Sequence, residues 1–289
     1  MLNIGLSNSR TATRILGSES ILTQVMSNFG RYRDKVSCKG VSQISVGETM
    51  SSTLSEELAE KVSELLNQEW DMRDGNVVPS QDDVKLAGGA VRLEATVLYA
   101  DLQQSSFLAT EFQQRTAAKV IRIFLACMCR LISEYDGTVT AFDGDRVMGV
   151  FLGDSKNSHA ATCALKMNHV IKNIIAPKVT EYFASLQETE FEISHCVGID
   201  SGSILAVRAG QRGANDLVWI GRAPNLAAKL SEIRLGTFRS WISEDAFRRL
   251  NDSATFSDDN PPRNMWLPHT WEFAGQQINI FGSRWTWQV

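Results

Sequence analysis

A chain of 289 residues can bury a full core and fits one large domain, or one domain with a substantial appendage. Its 43% apolar and 21% charged content excludes wholesale disorder, and a net charge of −4 without any Lys/Arg block excludes a nucleic-acid groove. No apolar run approaches a membrane span, and the opening MLNIGLSNSRTATRIL lacks the apolar stretch of a signal peptide, so a cytoplasmic chain with no membrane partner is expected.

Residues 1 to about 50 are polar and Ser-rich, with weak helical periodicity around Ile21, Val25 and Phe29. From Ser52 to Trp70 the pattern sharpens, with Leu54, Leu58, Val62, Leu65 and Leu66 on one face of an amphipathic helix. The stretch 71–89, rich in Asp, Gly, Pro and Ser, reads as a linker. The expected organisation is therefore an N-terminal helical segment and linker over 1–88, and a functional domain over 89–289.

In that domain Leu93–Ala100 reads as a buried strand ending at Asp101. Residues 111–133 predict one helix, with Val120, Phe124, Met128 and Ile132 on its inner stripe, stopped by Gly137. Cys127 and Cys129 lie two apart in it and face different ways. With Cys38, Cys163 and Cys196 they make an odd, scattered set that reads as reduced packing residues. Thr138–Phe142 and Arg146–Leu152 predict a hairpin turning through Asp143-Gly144. A helix follows over 158–176, with Pro177 beyond it. Phe191–Ile199 predicts a strand, Ser201-Gly202-Ser203 a turn, Ile204–Val207 its partner and Leu217–Ile220 a further strand. Pro224 starts a helix where its missing N–H costs nothing. A strand near Ser240–Ser243, a helix over 244–250 and a β pair in 270–287 close the chain. The order βαββαβ from Leu93 predicts an α+β fold with a ferredoxin-like core, C-terminal β additions and the N-terminal helical segment.

Two acidic positions gain meaning together. Asp101 ends a strand that is otherwise core, and Phe142-Asp143-Gly144-Asp145-Arg146 is a hairpin tip. Taken singly, each reads as a turn former or a solvated loop acid. In a βαββ core, however, the end of the first strand and the tip of the next hairpin lie side by side, bringing Asp101 near Asp145. Carboxylates so placed repel unless cations sit between them, and Mg²⁺ or Mn²⁺ takes carboxylate oxygens plus substrate phosphates. Two such ions suit an in-line attack on a phosphoryl group. A third feature is the helix from Pro224, where Asn225 and Lys229 are i, i+4 neighbours opposite Leu226, Leu230 and Ile233. Tyr99 and Trp219 are weaker candidates to border a base, and Arg146, Arg208, Arg212 and Arg222 to touch phosphate or base. The four histidines show no ligand spacing.

The segments VLYADL, FDGDRVMGVF, GIDSG and WIGRAPNLAAKL, in this order and spacing, resemble the class III nucleotidyl cyclases over roughly residues 93–250. The resemblance implies that Asp101 and Asp145 bind two divalent cations, Mn²⁺ or Mg²⁺. It implies that Asn225 orients the ribose, and that Lys229 stands where an Arg usually stabilises the transition-state phosphate. It also implies a head-to-tail homodimer, because the family's metal half and Asn/Lys half come from different subunits. Ala141 and Val218 depart from the side chains that read purines in that family, and Lys229 keeps a cation without the bidentate fork. With these departures the chain looks most like the bacterial pyrimidine cyclases of the Pycsar antiphage system. That likeness implies a nucleoside triphosphate substrate, UTP before CTP, and a separate effector protein that responds to the cyclic product. A purine cyclase and a catalytically silent nucleotide-sensing module are the alternatives.

Overall fold

A computed structural model describes residues 53–289; the periodicity around Ile21, Val25 and Phe29 lies outside the described residues. The chain divides into two units, 1–57 and 58–289. Only Thr53–Glu57 of the first is described, and it includes the start of helix α1, Leu54–Leu66. Leu58, Val62, Leu65 and Leu66, the apolar stripe of that helix in the second unit, are exposed.

The second unit is built on one mixed sheet. Strand β1, Asp71–Asp74, pairs parallel with β2, Gly89–Leu102. A 3₁₀ turn over Gln81–Asp83 separates them, so the stretch read as a linker is built into the sheet edge. Then come α2 (Ser105–Glu111), α3 (Gln114–Glu134), β3 (Gly137–Asp143), β4 (Arg146–Phe151) and α4 (Lys156–Val170). After α5 (Ala176–Tyr182) and α6 (Ala184–Gln187) follow β5 (His195–Gln211), β6 (Ala214–Ile220) and α7 (Arg222–Ser231). The chain closes with β7 (Ser240–Ser243), α8 (Glu244–Phe247), α9 (Asp252–Thr255), β8 (Leu267–Phe273) and β9 (Gln276–Ser283).

The strand order β3-β4-β2-β5-β7-β9-β8 puts β2 between β4 and β5, antiparallel to both. The expected βαββαβ core is present, extended by the C-terminal strands. β2 is apolar on both sides because both are covered. Leu98, Ala100 and Leu102 meet Phe124 and Met128 of α3 and Ala161 and Leu165 of α4 on one face. Leu93, Ala95 and Val97 meet Ala223 and Ala227 of α7 on the other.

Four expectations need correction. Ser201-Gly202-Ser203 is no turn: these residues face Thr96, Ala95 and Glu94 of β2 inside one continuous β5, since pairing along a 14-residue neighbour outweighs local turn preference. The helix expected over 111–133 is one, but it starts later, as α3 at Gln114, and a separate short helix, α2, ends at Glu111. Phe112 and Gln113 adopt extended backbone between α2 and α3, and Phe112 turns in to meet the rings of Phe107 and Phe191. Pro177 does not lie beyond a helix end. A π-helical turn, Ile171–Ile175, widens the backbone just before it, and Pro177 sits in the first turn of α5. Residues 191–194 lie outside β5, which begins at His195.

Candidate active site

The site begins where β2 runs out. Gln104 takes a left-handed conformation and turns the chain into α2, leaving Asp101 next to last in the strand. The hairpin turns through Gly144-Asp145 rather than Asp143-Gly144. Asp143 is still paired with Arg146, and Gly144 takes the positive φ of 61° that a first turn position of type II′ needs. Asp145 is therefore the tip. Asp101 faces Arg146 across the β2–β4 ladder, and the Leu102 N–H donates to the Asp145 carbonyl at 3.4 Å. Asp101 and Asp145 thus line one cleft of about 430 Å³, as the order of elements led us to expect.

The cleft is a balance of charges. Asp101 is 7% exposed, and burial pushes its carboxyl above the usual carboxylate range. Arg234 opposes that rise, its Nη2 donating to Asp101 Oδ2 at 2.5 Å, while the nearby Asp145 adds to it. Arg146 comes within 4.0 Å of Asp101 and bonds Asp143 at 2.7 Å and Glu232 at 3.0 Å. Burial works against the Arg146 charge, but Asp143, Asp101 and Glu232 outweigh it and raise its pKa. Four acids (Asp101, Asp143, Asp145 and Glu232) therefore face two guanidiniums, Arg146 and Arg234.

That imbalance and the hard oxygen donors suit a divalent cation, and Arg234 engages one of the Asp101 oxygens that such an ion would use. Among the described residues no three His, Cys, Asp or Glu side chains cluster closely enough to enclose an ion unaided. A cation here would share its coordination with a ligand's oxygens.

Asn225 and Lys229 do not join this cleft in their own chain. α7 docks through Ala223, Leu226, Ala227 and Leu230, which leaves Asn225 and Lys229 exposed on its outer face. The helix begins at Arg222 rather than at Pro224, which still lies in its first turn, where a missing N–H costs nothing. Lys229 Nζ bonds Glu232 Oε2 at 2.8 Å, so Glu232 joins it to Arg146 and the cleft rim. Tyr99 and Trp219 are half-buried against the apolar layer beneath α7 together with Ala141, and Val218 points outward. Arg208 bonds Asn215 and pairs with Asp82 on the far side of the sheet edge. Sequence reasoning missed Arg234 and Glu232. They follow α7 in Glu232-Ile233-Arg234-Leu235, which has no local pattern pointing back to a strand 133 residues away.

No known protein-family profile matches the chain. Curated proteins named uridylate cyclase do match it along most of its length. One from Rhodovulum sp. (strain MB263) is 38% identical over 231 residues, covering 80% of this chain and 96% of that protein. One from Xanthomonas perforans is 36% identical over 237 residues, covering 82% and 99%. One from Burkholderia cepacia is 37% identical over 238 residues, covering 82% and 99%. Among solved structures, the guanylyl cyclase Cya2 superposes with a TM-score of 0.56 at 17% identity, over 68% of this chain and 93% of that one. The adenylyl cyclase CyaB from P. aeruginosa superposes at 0.54 with 19% identity, over 67% and 95%. At these identities the likeness to solved structures is one of fold.

Proposed function

The chain belongs to the uridylate cyclase family, and from that premise we propose that it converts UTP to 3′,5′-cyclic UMP and pyrophosphate, with 89–289, joined by β1 at its sheet edge, as the catalytic domain. The observation that carries the mechanism is the meeting of Asp101 and Asp145 at adjacent strand ends in one cleft. These carboxylates would hold two divalent cations, Mn²⁺ or Mg²⁺. Such ions, when bound, acidify the ribose 3′-hydroxyl and spread the charge of the triphosphate.

The chain's own residues do the rest. Asn225 holds the ribose so that its 3′-oxygen meets the α-phosphorus in line. Lys229 places positive charge where it builds as the O3′–Pα bond forms and the bond to pyrophosphate breaks. Because Asn225 and Lys229 are exposed and do not line their own cleft, they serve the cleft of a second copy, in a head-to-tail homodimer with two equivalent sites. Ala141 and Val218 offer a base no hydrogen bond, which removes the selection for purines that polar side chains there would give. The cyclic product would act as a second messenger in antiphage defence, read by a separate effector protein. Among the described residues no helix is long and apolar enough to cross a membrane.

Incubation of the pure protein with ATP, GTP, CTP and UTP plus Mn²⁺, with products separated by mass spectrometry, tests the reading. Cyclic UMP is expected to dominate. Cyclic AMP as the main product would end the pyrimidine assignment, and no pyrophosphate from any of the four would end the enzyme.

A further inference from the structure

The GIDSG segment of β5 holds an acid that the proposed reaction does not touch. Asp200 is 0% exposed, in the middle of the sheet. Burial pushes its carboxyl above the usual range, and a buried carboxylate persists only with partners. It has three. Ser243 Oγ donates to Oδ1, the backbone beside Ser201 helps, and Arg222 Nη1 lies 3.2 Å from Oδ2 and 3.4 Å from Oδ1. The same Arg222 nitrogen is 3.0 Å from Asp245 Oδ2. Ser243 in turn caps α8 by accepting from the Ala246 N–H. One buried carboxylate thus ties together β5, β7, α8 and the first residue of α7.

Where that tie lands is the point. Arg222 begins α7, and Asn225 and Lys229 follow at i+3 and i+7, on the same stripe of the helix. The height of α7 above the sheet is set two residues before Asp200: a Cβ on Gly198 would lie 2.0 Å from the Ala227 carbonyl oxygen. Height alone does not fix a helix. Ala223, Leu226, Ala227 and Leu230 set which face of α7 is buried, but as apolar side chains they make no hydrogen bond or ion pair that holds its first turn. Arg222, clasped by Asp200 and Asp245, is the directional contact at the end where Asn225 lies.

We infer that Asp200 is a positioning residue for the cyclisation: through Arg222 it fixes the rotation of α7, and so presents Asn225 and Lys229 to the substrate held by the partner subunit. This rests on the cross-subunit site proposed above. Gly198 and Asp200, two residues apart in one strand, then divide the work of placing the helix between distance and angle.

The test uses the full-length dimer and the isosteric variant Asp200→Asn, which cannot pair with the Arg222 charge. Its kcat with UTP is expected to fall about tenfold to a hundredfold, the loss that a misplacement of about 1 Å causes, with KM moving far less. Co-expression then separates positioning from general damage. In a mixed dimer of Asp200→Asn and Asp145→Ala, one site combines two damaged halves. The other combines the intact cleft of the first chain with the intact α7 of the second. Activity is expected to return to the level of a control mixture of Asn225→Ala and Asp145→Ala. If Asp200→Asn fails to fold by circular dichroism, Arg222→Gln takes its place, since that side chain is half-exposed. Wild-type kcat in the single variant overturns the inference. So does a mixed dimer that stays inactive while the control recovers, because the damage would then lie in the variant's own cleft or fold. A control mixture that stays inactive removes the shared site itself, and this inference with it.

Discussion

The cleft and the outer face of α7 carry the two halves of one proposed reaction, yet they are built in opposite ways. The cleft gathers charge at strand ends, where Asp101 is nearly buried and two guanidiniums hold the acids in check. The α7 face spreads its polar groups in solvent and is fixed from behind, by apolar packing and the Asp200–Arg222 pair. One half stores electrostatic cost among its own reacting groups; the other keeps its buried charge, Asp200, behind the helix and leaves its polar face free of that cost. Changes in the cleft should therefore alter stability as well as rate, whereas changes on α7 should alter rate alone.

The largest expected effect is in the cleft. Asp145→Ala and Asp101→Asn are each expected to lower turnover of UTP by about a hundredfold to a thousandfold or more, as loss of a principal electrostatic group does. The stability readout is what makes the comparison sharp. The folded-state pKa of Asp101 is raised, so the folded chain binds its proton more readily than the unfolded chain does. Ionised Asp101 therefore costs stability at neutral pH, and the cost is relieved as pH falls through the raised value. Asp101→Asn, neutral at every pH, should melt no lower than the parent at pH 7 in metal-free buffer, and its melting temperature should gain less on acidification. A clear drop in melting temperature would mean that the contacts with Arg234 and Arg146 outweigh burial.

On α7 the expected loss is about a hundredfold in kcat for Lys229→Ala or Asn225→Ala, with an unchanged melting temperature because both side chains are exposed. Lys229→Arg should keep most of the activity. Equal losses of rate and of stability in these variants would erase the contrast between the halves.

How much of this was legible in the sequence follows the same division. Asp101 and Asp145 could be paired because a buried apolar run and a hairpin are local patterns, and βαββ connectivity leaves few ways to arrange them. Asn225 and Lys229 could be set on one face because helical spacing is regular. What escaped depended on long-range pairing. Ser201-Gly202-Ser203 has the composition of a turn, but β2 supplies a partner for each of its residues. Phe112 and Gln113 delay the start of α3, and Phe112 packs there against Phe107 and Phe191, a ring contact that spans distant parts of the sequence. Arg234 carries no local signal, and Asp200, though it lies in the GIDSG segment, was given no role there, since each matters through residues that only the folded sheet brings near.

A smaller effect tests the guanidinium that stands against Asp101. Arg234→Gln removes a competitor for the carboxylate oxygens, so the Mn²⁺ concentration giving half-maximal rate should fall severalfold. A rise would mean that Arg234 belongs to the substrate rather than to the resting cleft.

The smallest expected effect lies where the two halves touch. Glu232 accepts from Lys229 at 2.8 Å and from Arg146 at 3.0 Å, so in one chain it restrains the cation of α7 and a cation of the cleft rim together. Those two cations hold its pKa below the usual range despite partial burial, which means it stays ionised through the working pH range. A lysine engaged by its own chain must be released before it can meet a phosphate across a dimer interface. The Glu232 side chain is 43% exposed, and pairs at such exposure contribute only about 0.2–1 kcal/mol, or roughly up to a fivefold change in an equilibrium. Glu232→Gln should therefore lower the KM for UTP by about twofold to fivefold and leave kcat where it was. If instead kcat falls and KM holds, Glu232 aims Lys229 rather than restraining it, and the cleft and the helix face are a single machine even before the second subunit arrives.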